Sequence, residues 1–153
     1  MMRSLLNRTA IVTGAAGKGM GRSIALTLAP EGVKVVVNYR ASADSAQAIA
    51  NHITGQGGRA AAFQADVTRQ NECGELVDFA ARQYGPVGIC IIVPGAGWHP
   101  EPIDKLDSVA ALEDVQKELA PIHHLMPLVL PGMYERKWRS EEHTSELQSR
   151  QVI

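Results

Sequence analysis

Apolar and polar positions fall in blocks along this chain, and the period of the blocks switches back and forth in a regular order. Ala10 to Thr13 is a short buried strand, followed by a glycine-rich turn, a helix to about Ala29 and a second apolar strand, Val33 to Val37. Ala41 to Ile53 sets alanines and an isoleucine at helical spacing, with Ser42 or Asp44 available as N-cap, until Gly55, Gly57 and Gly58 stop it. Ala60 to Ala65 predicts a third strand. Asp66-Val67-Thr68 leads into a helix from about Gln70 to Tyr84, striped by Leu76, Val77 and Ala80 and broken by Gly85-Pro86. Val87 to Val93 is one continuous apolar run, as in a parallel strand covered on both faces. Four such alternations predict an α/β fold, a doubly wound, three-layer parallel sheet with right-handed crossovers.

From Asp104 to Lys137 the pattern is helical but interrupted. Asp107-Ser108 can open a helix whose buried face would include Val109, Leu112, Val115 and Leu119, while Pro121, Pro127 and Pro131 should kink or break it. The last stretch, Arg139 to Ile153, is polar, lacks core periodicity and cannot supply a further apolar strand. Residues 1–138 are therefore expected to form the domain and 139–153 a disordered tail. Without a next strand, the fourth would present a long apolar edge, so a chain that does not fold stably alone stays open as a reading.

The turn after the first strand carries the chemistry. Gly14, Gly17, Gly19 and Gly21 remove Cβ atoms that would block a tight reversal, close approach of a phosphate, and packing of the helix on the sheet. The helix that follows has unpaired N–H groups and partial positive charge at its start, which suits an anion such as a dinucleotide diphosphate. The mononucleotide loop G-x-x-x-x-G-K-S/T is excluded, because Gly19 stands where Ser or Thr must follow Lys18. A structural turn that binds nothing is disfavoured by the backbone entropy that so many glycines lose on folding.

Composition narrows the class without naming it. The chain has 153 residues, 45% of them hydrophobic, and a formal net charge of −1, which gives no reason to expect nucleic acid or a membrane surface as partner. No apolar run is long enough for a signal peptide or a membrane span, so a cytoplasmic location is expected. Cys73 and Cys90 lack C-x-x-C spacing and read as reduced packing residues. His123-His124 are poorly placed to chelate, since neighbours point about 100° apart on a helix, and no metal site is expected.

The pattern T-G-A-x-x-(x)-G-x-G, an amphipathic helix and then V-V-V-N-Y-R resembles the opening of the short-chain dehydrogenase/reductase family, with its Rossmann-like nucleotide-binding fold. It is similar in particular to members that reduce 3-oxoacyl thioesters or other small carbonyls. Here the spacing from Gly14 to Gly19 is one residue longer than usual for the family. The resemblance covers roughly residues 5–138, the cofactor-binding half of a family member.

That resemblance implies a set of roles. Gly14, Lys18, Gly19, Met20 and Gly21 would form the cofactor loop, with Lys18 and Arg40 meeting the 2′-phosphate of NADP. The second strand ends Asn38-Tyr39-Arg40, without the acidic residue that binds a free ribose in NAD enzymes, so NADP is favoured over NAD. Asp66 and Val67 would hold the adenine. Pro94-Gly95-Ala96-Gly97 occupies the place of the family's Asn-Asn-Ala-Gly, with Gly95, Ala96 and Gly97 letting the backbone approach the cofactor. Gln116 sits about where the family has an Asn that aids a proton relay.

The family's catalytic Ser, Tyr and Lys normally come later, and Tyr134-Glu135-Arg136-Lys137 has the wrong spacing for the last two. No catalytic residue is therefore assigned. The expectation is an NADP-dependent oxidoreductase of small carbonyl or alcohol substrates, homo-oligomeric in its parent form, of which this chain is a fragment inactive alone. A non-catalytic dinucleotide-binding module is the alternative. Within the tail, RSEEHTSELQS resembles a translated sequencing-library adapter, which would make 139–153 foreign to the domain.

Overall fold

The structure, a computed structural model, describes residues 5–93 and 102–137. Four strands, β1 (Thr9–Val12), β2 (Lys34–Tyr39), β3 (Arg59–Gln64) and β4 (Val87–Ile91), pair in parallel in the order β3-β2-β1-β4. Helices α1 (Met20–Leu28), α2 (Ala43–Gly55) and α3 (Gln70–Tyr84) connect them in turn, and α4 (Ser108–Glu135) follows β4. The chain thus builds outward from β1 through β2 to β3, then returns to the other side of β1. Such a reversal leaves a crevice at the carboxyl ends of the strands, where α/β sheets bind ligands.

Period-two alternation in the strands sorts the core into two faces. Ala10, Val12, Val35 and Val37 face one way and pack with Ala25, Ala46, Ile49 and Ile53 of α1 and α2. Ile11 and Val36 face the other way and pack with Cys73, Leu76, Leu125 and Val129 of α3 and α4. The register sets Ile11 beside Val36 on one flank and Cys90 on the other. This is the three-layer α/β arrangement the alternation implied.

One expectation for the helices holds in position but without the side-chain bond, and another needs correction. Ser42 is the N-cap residue of α2 but makes no side-chain capping bond; three residues on, the Ser45 hydroxyl instead donates to the Ala16 carbonyl at 2.6 Å. The correction concerns α4, which runs as one helix through Pro121, Pro127 and Pro131. Its buried residues are Pro121, Leu125 and Val129, whereas Val109 and Leu112 are each 65% exposed and Val115 and Leu119 are exposed as well. Helical periodicity shows which residues share a face, not which face a neighbour covers; α3 and β4 cover the later turns. The carbonyls that the prolines leave without an in-helix donor belong to Lys117, His123 and Pro127, all exposed residues, where water can bond them. Asp107 opens the helix as expected, its Oδ1 accepting from the N–H groups of Val109 at 2.9 Å and Ala110 at 3.3 Å.

Candidate functional site

A cleft of about 340 Å³ opens at the carboxyl edge of the sheet, in the crevice that the strand order creates. Because all four strands run the same way, the loops that follow them converge on this edge. Gly14 and Gly17 after β1, Arg40 after β2, Asp66 and Val67 after β3, and Val93 after β4 all line it.

The glycine loop is shaped from beneath. Gly14 has φ +60°, a left-handed conformation that side chains disfavour, and a Cβ there would lie 3.2 Å from the Val93 carbonyl oxygen. A Cβ on Gly21 would lie 2.7 Å from the Gly14 carbonyl oxygen, so the start of α1 rests directly on the loop backbone. Ala15 and Ala16 are buried, and the Ala15 N–H donates to the Asn38 carbonyl at 3.3 Å. With Ser45 holding Ala16, the longer loop is anchored at its first half, and Gly17, Lys18 and Gly19 are exposed.

Two polar side chains tie the strand ends together. The Val93 N–H donates to the Thr13 hydroxyl oxygen at 2.9 Å, joining β1 to the segment after β4. Asn38 is 2% exposed, and its amide nitrogen donates to the Ala65 carbonyl at 3.1 Å and to Phe63 at 3.4 Å. That bond closes the far side of the cleft, where β2 meets β3.

Asp66 supplies a carboxylate beside Arg40. Its Oδ1 accepts from the Thr68 hydroxyl at 2.7 Å and the Thr68 N–H at 3.0 Å. Burial alone would raise its pKa; the Thr68 bonds together with the positive charges of Arg40 and Arg69 outweigh it and hold the carboxyl below the usual range. Asp66 therefore stands as an acceptor, with Arg69 3.9 Å from its Oδ2.

Of the residues singled out from sequence, the cleft brings together Gly14, Arg40, Asp66 and Val67. Lys18 and Gly19 sit exposed on the adjoining turn, Met20 is exposed at the start of α1 and Gly21 is buried behind it; none of the four lines the cleft. Gly95, Ala96 and Gly97, with Pro94, lie outside the described residues, as does the 139–153 tail. Gln116 is exposed and does not line the cleft, whereas its neighbour Lys117 and, one turn on, Pro121 do. Tyr134 is 71% exposed at the opposite edge of the sheet, near Arg136, which donates to the carbonyl of Val87 at the start of β4 at 2.8 Å.

The remaining reactive groups are spoken for. Cys73 is buried and its thiol donates to the Val67 carbonyl at 3.3 Å; burial pushes its pKa up to about 11, and that of Cys90 to about 12, so neither is a ready nucleophile. His124 is half-buried with Nδ1 3.4 Å from the same carbonyl, and His123 is exposed. No group of three metal-ligating side chains occurs among the described residues, and no described helix is long and apolar enough to cross a membrane. Sequence reasoning did not find the bracing role of Asn38, though a lone amide closing the apolar run from Val35 to Val37 was a usable signal. Lys117 and Pro121 gave no such signal.

A family model described as short chain dehydrogenase matches residues 8–140. The 3-oxoacyl-(acyl-carrier-protein) reductase of Staphylococcus epidermidis is 42% identical over 86 residues, covering 56% of this chain and 35% of that reductase. A hydroxynaphthalene reductase-like protein of Metarhizium robertsii is 43% identical over 89 residues, 58% of this chain and 33% of that protein. Among solved structures, a hydroxysteroid dehydrogenase from Escherichia coli superposes with a TM-score of 0.76 at 32% identity, covering 87% of this chain and 56% of that one. The matches thus span between about a third and a little over half of each relative's length. On the strength of the family match over most of its length, the chain belongs to the short chain dehydrogenase family of oxidoreductases.

Proposed function

We propose that this chain is the nucleotide-binding half of an NADP-dependent oxidoreductase that acts on small carbonyl or alcohol substrates. The observation that carries the reading is Arg40 on the cleft wall, with no carboxylate at the end of β2 to bond a free ribose 2′-hydroxyl. The cleft fits the adenosine end of such a cofactor. Its volume is in the range of small-ligand sites, the left-handed Gly14 keeps a Cβ out of the loop, and Asp66 is held as an acceptor for the adenine amino group. Lys18 on the exposed turn is free to reach toward the 2′-phosphate as a second cation. Gly19, Met20 and Gly21 begin α1, whose first N–H groups and partial positive charge favour the diphosphate. Gly95, Ala96 and Gly97 complete the wall in this reading.

When bound, NADP supplies the hydride chemistry at its nicotinamide ring. This chain's contribution is to bind and orient the cofactor; the proton donor belongs to a part of the parent protein that the relatives' greater length accommodates. In keeping with that, no Tyr-x-x-x-Lys occurs anywhere in the 153 residues. The likeness to a 3-oxoacyl reductase supports a carbonyl as the substrate class.

Fluorescence titration with NADPH and NADH tests the assignment. Saturable NADPH binding at least tenfold tighter than NADH is expected, and Arg40→Gln should erase the difference. A folded sample with no saturable NADPH binding, or with equal affinity for the two, overturns it. Ketone-dependent NADPH oxidation well above background would overturn the claim that the chain does not turn over alone.

A further inference from the structure

The loop after β3 that carries Asp66 and Val67 is braced largely by its own neighbours. The Thr68 N–H and hydroxyl bond the Asp66 carboxylate, the Glu72 carboxylate accepts from the Asp66 N–H at 2.6 Å, and the Cys73 thiol donates to the Val67 carbonyl at 3.3 Å. All of these partners lie between Asp66 and Cys73, so they shape the loop from within. His124 is different. It stands on α4, 57 positions from Val67, with its Nδ1 3.4 Å from the Val67 carbonyl oxygen.

A carbonyl oxygen can only accept, so the ring nitrogen facing it must carry the proton and donate. Its two lone pairs take this bond and the thiol's together. The imidazole is presented from an anchored turn. Pro121, three residues earlier and on the same face of the helix, is buried and lines the cleft, while Leu125 is fully buried in the cluster that holds Cys73 and packs against Val67. His124 itself is half-buried and does not line the cleft, whereas Val67 does. The Val67 N–H meets no partner among the described residues. With the Asp66 carboxylate as acceptor, this N–H supplies the donor that complements the amino group and a ring nitrogen of adenine.

We infer that His124 is a positioning residue of the nucleotide site: by holding the Val67 carbonyl from α4, it fixes the loop in the conformation that takes the adenine. The inference rests on the nucleotide reading of the cleft and adds to it a residue that acts through Val67. A loop braced only from within would occupy that conformation for part of the time, and affinity falls by the same fraction.

Titration of His124→Leu and His124→Asn with NADPH and NADH tests this. Leucine keeps apolar bulk and removes the donor; the asparagine amide restores a donor in place of Nδ1. His124→Leu is expected to weaken both nucleotides alike, since both carry the adenine, by about three- to tenfold for one lost hydrogen bond. His124→Asn should stay within about twofold of wild type. A purely packing role would reverse that order. Circular dichroism should show both variants folded. In the wild type, proton–nitrogen correlation spectra of the neutral imidazole should place the proton on Nδ1. Unchanged binding in His124→Leu, equal losses in the two variants, a loss confined to NADPH, or a neutral ring protonated on Nε2 overturns the inference while leaving the nucleotide site intact. A folded wild type that binds neither nucleotide overturns the site itself.

Discussion

Gly21→Ala is the sharpest test of how the loop and α1 are built. A Cβ at this position would stand 2.7 Å from the Gly14 carbonyl oxygen, 2.9 Å from its carbon and 3.0 Å from Ala15 Cα. All three are backbone atoms, so no flexible side chain can yield. Either α1 lifts off the loop or the loop is pushed toward the cleft. Forcing a methyl into packed space costs about 1–3 kcal/mol. The opposing gain in helix propensity is below about 1 kcal/mol, because Gly21 is in the first turn. The net loss of about 1–2 kcal/mol should lower Tm by roughly 2–8 °C in a chain of this size. Gly19→Ala is the control: a Cβ there meets nothing within 4 Å, so only the loss of roughly 0.5–1 kcal/mol from a poorer N-cap is expected. Both variants would be followed by circular dichroism melts and urea unfolding. If Gly21→Ala melts at or above wild type, or no lower than Gly19→Ala, the close approach of helix and loop is wrong.

Two further outcomes follow from the same packing and charges. Asp66 has a depressed folded pKa, so its contribution to stability is fully present above its unfolded value near 3.8 and is lost as pH falls through the lower folded value; Asp66→Asn should flatten urea-unfolding stability against pH in that acid window, and an unchanged acid slope would refute the assignment. On α4, Leu125→Ala should destabilise by about 2–5 kcal/mol, as for a fully buried leucine, whereas Leu112→Gln, at a site 65% exposed, should stay within about 0.5 kcal/mol. Equal losses in the two variants, measured by the same unfolding assay, would mean that the earlier turns of α4 are covered after all.

Much of this architecture was legible from local pattern. The strand positions follow from apolar runs bounded by glycine, proline and aspartate, and the resulting elements differ from the expected ones by a residue or two at their ends. Arg40, Asp66 and Val67 were singled out by resemblance to the family, and they meet at one cleft because parallel strands joined by helices bring every strand end to the same edge. Gly14 was legible for a related reason: only a residue without Cβ fits a reversal that tight.

What the tertiary structure alone decided lies in α4 and in the contacts between layers. The helix carries two apolar stripes, Val109, Leu112, Val115 and Leu119 on one side and Leu125 and Val129 on another, and periodicity cannot rank them. Burial depends on what α3 and β4 offer in space. Lys117 and Pro121 reach the cleft, and Asn38 reaches the Ala65 carbonyl, only once distant segments are packed together. A sequence carries its own hydrophobic period and its backbone restrictions at each residue, so elements and turns can be read from it; which side chains meet is a property of the assembled layers, set by neighbours far away along the chain.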